Sequence, residues 1–287
     1  ALELQITQPS LSAQLKLLEE TLGIELFERT HAGVTLTPFG RQLVNEARQA
    51  VNAAEAIVEA AQFASNGPSG TFRLGILPSL GPYLLPFILP AVKQEFPNVK
   101  FFVRETVASK LEEGLKSGDY DLVISTALAN DTALFAAPLL SEPVYLVLSK
   151  DHPLANGEFI TPEQLAGEEV LAVEEHHAFF HQVDELCRKF KAKLLRDYEG
   201  TSLDAIRQMV TMGMGIAFLP ELYIRSEIRD HNELRILSIK NEPIFRNHAM
   251  YWRINSPVRS FYQSLHGFMR QVCIEKFGSE LVAKDTV

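Results

Sequence analysis

Long apolar runs are missing from this chain. No stretch of about eighteen consecutive apolar residues is present to span a bilayer, although 46% of the 287 residues are hydrophobic. Cysteine is scarce as well. Cys187 and Cys273 are the only two, too few for a disulfide scaffold and not at metal-ligand spacing, so structural thiols are expected. There is no glycine-rich phosphate loop, no nucleophile elbow and no histidine–acid pair at metal spacing, so the sequence predicts neither an enzyme nor a bound metal or cofactor. Basic charge is also short, with a formal net charge of −9. Residues 1–70 carry four basic side chains (Lys16, Arg29, Arg41, Arg48) against eight acidic ones. Bulk attraction to nucleic acid is excluded. Any DNA contact at this end must use a few placed groups, helix N-terminal amides and a second copy of the chain. No charged and then apolar leader is visible, which points to a cytoplasmic protein.

What is present begins with residues 7–40, TQPSLSAQLKLLEETLGIELFERTHAGVTLTPFG. Thr7 can cap a helix that tolerates Pro9 in its first turn, where an amide hydrogen has no partner anyway. Leu11, Leu15, Leu18 and Leu22 recur at spacings of four and three, one apolar stripe that Gly23 can close. The opposite face carries Gln8, Ser10, Ser12, Gln14 and Lys16, groups suited to base edges and phosphates in a major groove. Two short apolar segments then flank Thr30-His31-Ala32, the pattern of a small hairpin. Together these read as a winged helix-turn-helix, although amphipathic helices with polar outer faces are also ordinary. The run T-Q-P-S-L-S-x-Q-L-K-x-L-E-x-x-L-G-x-x-L-F-x-R, a wing, and L-T-P-x-G resemble the DNA-binding domain of LysR-type transcriptional regulators. Ala13 departs from that pattern, where many members carry arginine. Ala1 falls inside what would be the preceding helix, so the resemblance implies an N-terminally incomplete domain. It also implies a readout set of Gln8, Pro9, Ser10, Ser12, Lys16, Arg29 and His31.

After Thr37-Pro38 the chain reads as helix to residue 64. Leu43, Ala47, Ala50, Ala54, Ile57 and Ala61 repeat at four and three, a coiled-coil seam whose alanines let two backbones approach closely. A helix lying on its own domain is the alternative, though it would more often present Leu and Ile. Residues 65–70, SNGPSG, break all periodicity and read as a hinge. From Thr71 short apolar strands (71–76, 99–104, 121–125, 144–148, 170–173, 216–219, 248–252) alternate with helical stretches (83–95, 110–117, 202–212, 257–276). This alternation predicts α/β units around mostly parallel sheets, in two lobes rather than one.

The segments LGILPSLGPYLLP, SGDYDLVIS, DHPLA and GTSLDAIRQMVTMGMGIAFLP resemble landmarks of the LysR-type effector domain, which is two-lobed and shaped like periplasmic ligand-binding proteins. The resemblance implies a truncated winged helix-turn-helix in 1–37, a linker and dimerisation helix in 38–64 and the hinge in 65–70. It puts lobe I in 71–142 and 245–287, and lobe II in 143–244. It also implies an operator DNA partner, a small-molecule effector and self-association as a dimer and tetramer, with no membrane contact.

In open α/β sheets a ligand sits past the carboxyl ends of strands, where helix N-termini point their amides. Ser79, Ser125, Thr201 and Ser202 stand at such places, and each can equally be only a cap. Residues 174–181, EEHHAFFH, add His177 as a hydrogen-bonding or titratable group able to gain charge at mildly acidic pH. Three histidines in six residues also invite a metal reading, but no Cys or carboxylate at zinc spacing accompanies them.

LPSLGPYLLP and the nine-residue offset from Ala178 to Cys187 resemble the peroxide-responsive, OxyR-like branch of the family. In that branch a His-Cys pair supplies the reactive thiol. Here His177 and Cys187 match, Ala178 occupies the reactive position, and Phe180 stands where a thiolate-supporting Arg is expected. Either a cysteine has been exchanged to trap a reduced state, or this chain answers to another signal. Phe180 favours divergence, because a trap needs only one change. The reading is a DNA-binding regulator whose interlobe cleft senses a small molecule or a redox signal. A solute-binding protein without DNA binding is the alternative, and residues 7–64 argue against it.

Overall fold

The computed structural model describes residues 6–30, 33–66, 68–126, 128, 131–196, 202–228, 232–278 and 281. The chain divides into two compact units, Ala1–Val58 and Glu59–Val287.

The first unit opens with helix α1 (Gln8–Leu22), capped as its sequence predicts. Ser10 N donates to Thr7 Oγ1 at 3.3 Å, and Gly23 closes the helix at φ 71°. Strands β1 (Phe27–Thr30) and β2 (Gly33–Leu36) pair antiparallel as the wing. Glu19 ties helix to wing, its Oε1 accepting from Leu26 N at 2.7 Å and Phe27 N at 3.1 Å. Helix α2 (Pro38–Asn66) follows. The L-T-P-x-G motif has a physical reason here. Thr37 Oγ1 accepts from Gly40 N at 2.9 Å and donates to Glu25 O at 2.8 Å. A Cβ on Gly40 would stand 2.2 Å from Leu26 O, so the close approach excludes any other residue without a backbone shift. Leu11 and Leu15 of the leucine stripe are half-buried, and Leu18 and Leu22 stay exposed.

The second unit runs β3 (Gly70–Ile76), α3 (Gly81–Glu95), β4 (Val99–Glu105), α4 (Ala108–Ser117), β5 (Leu122–Ser125) and the long β6 (Leu134–Ser149). It continues through β7 (Phe159–Ile160), β8 (Glu169–Leu171), α5 (Ala178–Phe190), β9 (Lys193–Leu194) and α6 (Leu203–Thr211). Last come β10 (Ile216–Pro220), α7 (Glu221–Glu227), β11 (Leu234–Ile239), β12 (Ile244–Arg253) and α8 (Arg259–Phe277). In α3, Pro82, Pro86 and Pro90 fall four apart on the exposed side, while Leu84, Leu85, Ile88 and Val92 are buried. Prolines there cost backbone hydrogen bonds only where water can replace them.

One sheet threads the unit in the order β4-β3-β5-β12-β6-β10-β8-β9, with β11 beside β6. The expectation of mostly parallel sheets needs correction. β3 pairs parallel with β4 and β5, and β8 parallel with β9 and β10. The middle of the sheet is antiparallel, because β12 pairs that way with both β5 and β6, and β6 with β10 and β11. The predicted strands 144–148 and 248–252 are parts of these longer elements, read short because Pro143 and the polar pair Arg246-Asn247 interrupt the apolar pattern.

Two separate hydrophobic cores flank this middle. One holds Leu74, Ile76, Leu84, Ile88, Leu139, Leu140, Met250, Trp252 and the inner face of α8. The other holds Val144, Leu146, Leu148, Phe179, Val183, Leu186, Ile216 and Phe218. β6 contributes to both, so the chain crosses from lobe to lobe inside hydrogen-bonded strands.

Candidate functional site

The polar face of α1 carries Gln8, Pro9 and Ser10 exposed, and Ser12 half-buried. Lys16 also points outward, with only a loose pair to Glu20 at 3.7 Å. Arg29 lies in β1 opposite Val34, and His31 lies outside the described residues. On α2, Leu43 is half-buried, and Ala47, Ala50, Ala54, Ile57 and Ala61 are all exposed in the single chain. Phe39, Val51 and Val58 are exposed beside them.

In the second unit, the carboxyl ends of β3 and β5 stand side by side, Ile76 opposite Ile124. Each leads into a predicted hydroxyl. Ser79 follows β3 half-buried. Ser125 ends β5 fully buried, its Oγ without a partner. Since β12 runs antiparallel to β5 with Ala249 opposite Ser125, the residues just before Ala249 lie across these strand ends. There the strands carry charge. Arg246 of β12 is paired in register with Glu142 of β6, and His248, two residues on, shares the same face. All three are buried, at 2%, 0% and 1% exposure. His248 Nε2 meets Glu142 Oε1 at 2.8 Å, Leu222 N donates to Glu142 Oε2 at 3.2 Å, and Arg246 Nη1 is 3.6 Å from Glu142 Oε1. Arg246 Nη2 donates to Ser79 Oγ at 2.7 Å. Sequence reasoning brought Ser79 forward and missed this trio. The visible signal was the pair Arg246 and His248, two residues apart and so on one face of the strand.

Burial holds the His248 imidazolium and the Arg246 guanidinium below their ordinary pKa, with Glu142 opposing the shift in both. His248 is therefore neutral near pH 7 and donates from Nε2 to the carboxylate, which leaves its buried Nδ1 unpartnered.

The loop after β8 closes over this floor. Phe179 is buried under Arg246, whose guanidinium carbon lies 4.9 Å from the ring centroid. His177 caps α5 by position but makes no side-chain cap bond, and its Nε2 lies 3.5 Å from Glu174 Oε1. His177 is held below its ordinary pKa, so any charge it gains comes at lower pH than for a free imidazole. Burial lowers its pKa first, Glu174 raises it, and Arg246 and His176 lower it further. Ala178, half-buried, packs against the core of the other lobe. Phe180 is buried.

Ser202 does what a cap does, its Oγ accepting from Ala205 N at 3.3 Å. Thr201 lies outside the described residues. Tyr223 of α7 links the start of α6 to the other lobe. Tyr223 donates to Asp204 Oδ1 at 3.0 Å, and its ring meets Tyr83 of α3 edge-on at 5.3 Å. Burial first, then Asp204, Glu227 and Glu105, push the Tyr83 phenol up to about 12.

Cys187 and Cys273 are free and buried in different cores. Burial pushes their thiols up to about 11 and about 12. A buried neutral thiol is a poor nucleophile. Among the described residues no group of three His, Cys, Asp or Glu could hold a metal, and no helix is long and apolar enough to cross a membrane.

Residues 1–41 match the bacterial regulatory helix-turn-helix protein family, lysR family, and residues 65–274 match the LysR substrate binding domain. The DNA-binding transcriptional dual regulator OxyR of Escherichia coli is 35% identical over 260 residues, 91% of this chain and 85% of that protein. A hydrogen peroxide-inducible genes activator of Dickeya chrysanthemi is 34% identical over 279 residues, 96% of this chain and 91% of its own. Among solved structures, a full-length OxyR variant from Pseudomonas aeruginosa aligns with a TM-score of 0.78 at 29% identity, covering 92% of this chain and 86% of that one. The capped helix and wing, the two-lobed α/β unit and these matches converge: the chain belongs to the LysR family of transcriptional regulators, a helix-turn-helix DNA-binding protein with an effector-binding domain of the OxyR type.

Proposed function

We propose that this regulator reads operator DNA with the polar face of α1 as a dimer paired through α2, and that it answers to a small ligand held between its lobes rather than to a thiol switch. The observation that carries the ligand half is the buried polar floor where Ser79, Arg246 and the start of α5 meet beneath both lobes. Ser125, His177 and the α6 start with Thr201 and Ser202 complete the proposed effector set. Lobe I then comprises 71–142 and 245–287, and lobe II 143–244, with 1–37 reading DNA, 38–64 pairing two chains and 65–70 as the hinge. A paired pair of dimers, operator DNA and a cytoplasmic location belong to the same reading, and no catalytic role is assigned. Supporting the pairing is the row of exposed alanines on α2, where two helices can approach closely.

For DNA, Gln8, Pro9, Ser10, Ser12, Lys16, Arg29 and His31 form the proposed contact set. Gln8→Ala is expected to cost about 1–3 kcal/mol of operator binding and to relax base preference. Lys16→Ala should weaken all sequences alike and reduce the salt slope by about 1. Operator titrations at several salt concentrations measure both, and unchanged affinity in the two variants removes α1 from the interface.

For redox, Ala178 has no sulfur to oxidise and the two thiols are buried in separate cores. Peroxide treatment followed by thiol counting in a mass spectrometer should return both cysteines free. A Cys187–Cys273 bridge would contradict the ligand reading.

A further inference from the structure

An oxidant that reaches this chain meets no reactive thiol. Ala178 carries no sulfur, and burial keeps the free thiols of Cys187 and Cys273 neutral. Five methionine thioethers remain. Met250 and Met269 lie inside the core that holds Trp252, at 0% and 2% exposure. Met209 is half-buried against the other core. Met212 and Met214 differ from all of these, at 79% and 52% exposure. The accessible sulfur of the chain is therefore gathered in one turn, between α6 and β10.

The backbone holds these two side chains out. Met212 N donates to Gln208 O at 3.1 Å, Gly213 N to Val210 O at 3.0 Å and Met214 N to Met209 O at 3.1 Å, which fixes the turn to the end of α6. Gly213 is left-handed at φ 73°. At Gly215 a Cβ would stand 2.8 Å from Glu169 O, so the turn is pressed onto β8 there. Neither glycine has a side chain to cover the methionine beside it. Surface turns are ordinarily filled by Gly, Pro, Asn, Asp and Ser, and neither Met212 nor Met214 packs against either core. Packing thus gives no reason for two long thioethers at this place.

We infer that Met212 and Met214 form a reversible oxidation site whose reagent is a hydroperoxide. Each thioether sulfur attacks one oxygen of hydrogen peroxide. The O–O bond breaks, an S–O bond forms, and the hydrogen of the transferred hydroxyl passes to the departing oxygen, which leaves as water. Sulfur gives up two electrons and the peroxide takes them. A thioether has no proton to lose, so this step needs neither the lowered pKa nor the basic neighbour that a thiol requires. Exposure selects the sulfur. The product, methionine sulfoxide, is polar and is returned to methionine by two reductases, one for each epimer. No disulfide is formed, and the inference is independent of the cleft reading above.

The experiment treats the whole chain with hydrogen peroxide over a time course and counts added oxygen at each sulfur by peptide mass spectrometry. Met212 and Met214 should be oxidised at least about tenfold faster than Met250 and Met269, with both cysteines still unmodified. In urea the five methionines should converge on one rate, because folding is what separates them. The double variant Met212→Leu, Met214→Leu keeps apolar side chains at both places and should lose the two oxygens of the early phase. Chain oxidised at these two positions alone should unfold at the parent's urea midpoint, and the two reductases together should remove both oxygens. Equal rates at exposed and buried methionines, early uptake that persists in the double variant, or a lowered midpoint after modification of this pair would each overturn the inference and leave the cleft reading intact. Oxygen that the reductases do not remove overturns the reversible assignment. Oxidation of Cys187 or Cys273 ahead of the pair overturns it as well, by making a thiol the first target.

Discussion

Glu142→Ala should destabilise the effector unit by about 3–5 kcal/mol, the range for removing one partner of a buried charged pair. The carboxylate accepts from Leu222 N and His248 Nε2 and stands nearest of any acid to Arg246. Its loss leaves a buried imidazole and a backbone amide without their acceptor and takes the nearest negative charge away from a buried guanidinium. Because Leu222 belongs to α7 and Arg246 to β12, the damage should reach both lobes and appear as one cooperative shift in urea unfolding with an unchanged m-value. Glu142→Gln keeps the shape and one acceptor and should cost less. If the two variants unfold together at the parent's midpoint, the trio contributes nothing to stability. The same buried groups set the direction of the pH response. His248 and His177 both titrate below the ordinary 6.5 in the folded chain. Their contribution is therefore fully present above that value and is lost as pH falls through the folded pKa, because the unfolded chain takes up the protons first. Urea midpoints should decline on acidification below about pH 6.5, and a midpoint rising there would contradict the depressed values.

The second large effect is expected at Ala50→Glu. Ala47, Ala50 and Ala54 are exposed on α2 of the single chain and recur at the spacing of a helix pair. In a dimer two glutamates would meet where the backbones approach most closely, joining a sequence already at −9. Sedimentation should show a weakened dimer. Operator affinity should then fall by about 10²-fold or more, since the second half-site no longer binds as an intramolecular event. A surface position on a helix that packs on its own chain would change neither measurement. An unaltered dimer at low concentration would thus place the pairing face elsewhere.

Much of this was legible in the residues. The caps of α1, the wing and the α2 start are local devices, set by contacts between residues at most about a dozen positions apart, such as Gly40 N on Thr37 and Thr37 on Glu25. Periodicity carried the helices for the same reason, because burial on one face repeats along the chain. The alternation of strands and helices announced two lobes, and the fixed offsets of the helix-turn-helix announced the family. The antiparallel crossing was not legible. Pro143 and a string of polar residues in β12 obscured two strands whose pairing partners lie some hundred residues apart.

The candidate site divides along the same line. Ser79 and Ser125 stood out as hydroxyls after short strands, and Ser202 proved to be a cap. Arg246, Glu142 and His248 looked like unremarkable charges in sequence, and only the tertiary structure made them a site. Ser79 and Arg246 are 167 residues apart, and they meet because β12 runs back across the ends of β3 and β5. Local pattern determined the elements and the DNA-reading motif of this protein, since those depend on neighbours along the chain. Sheet register decided which charges are buried, which are paired and which nitrogen is left over, since desolvation and hydrogen bonding act through space and leave no periodic trace in the sequence.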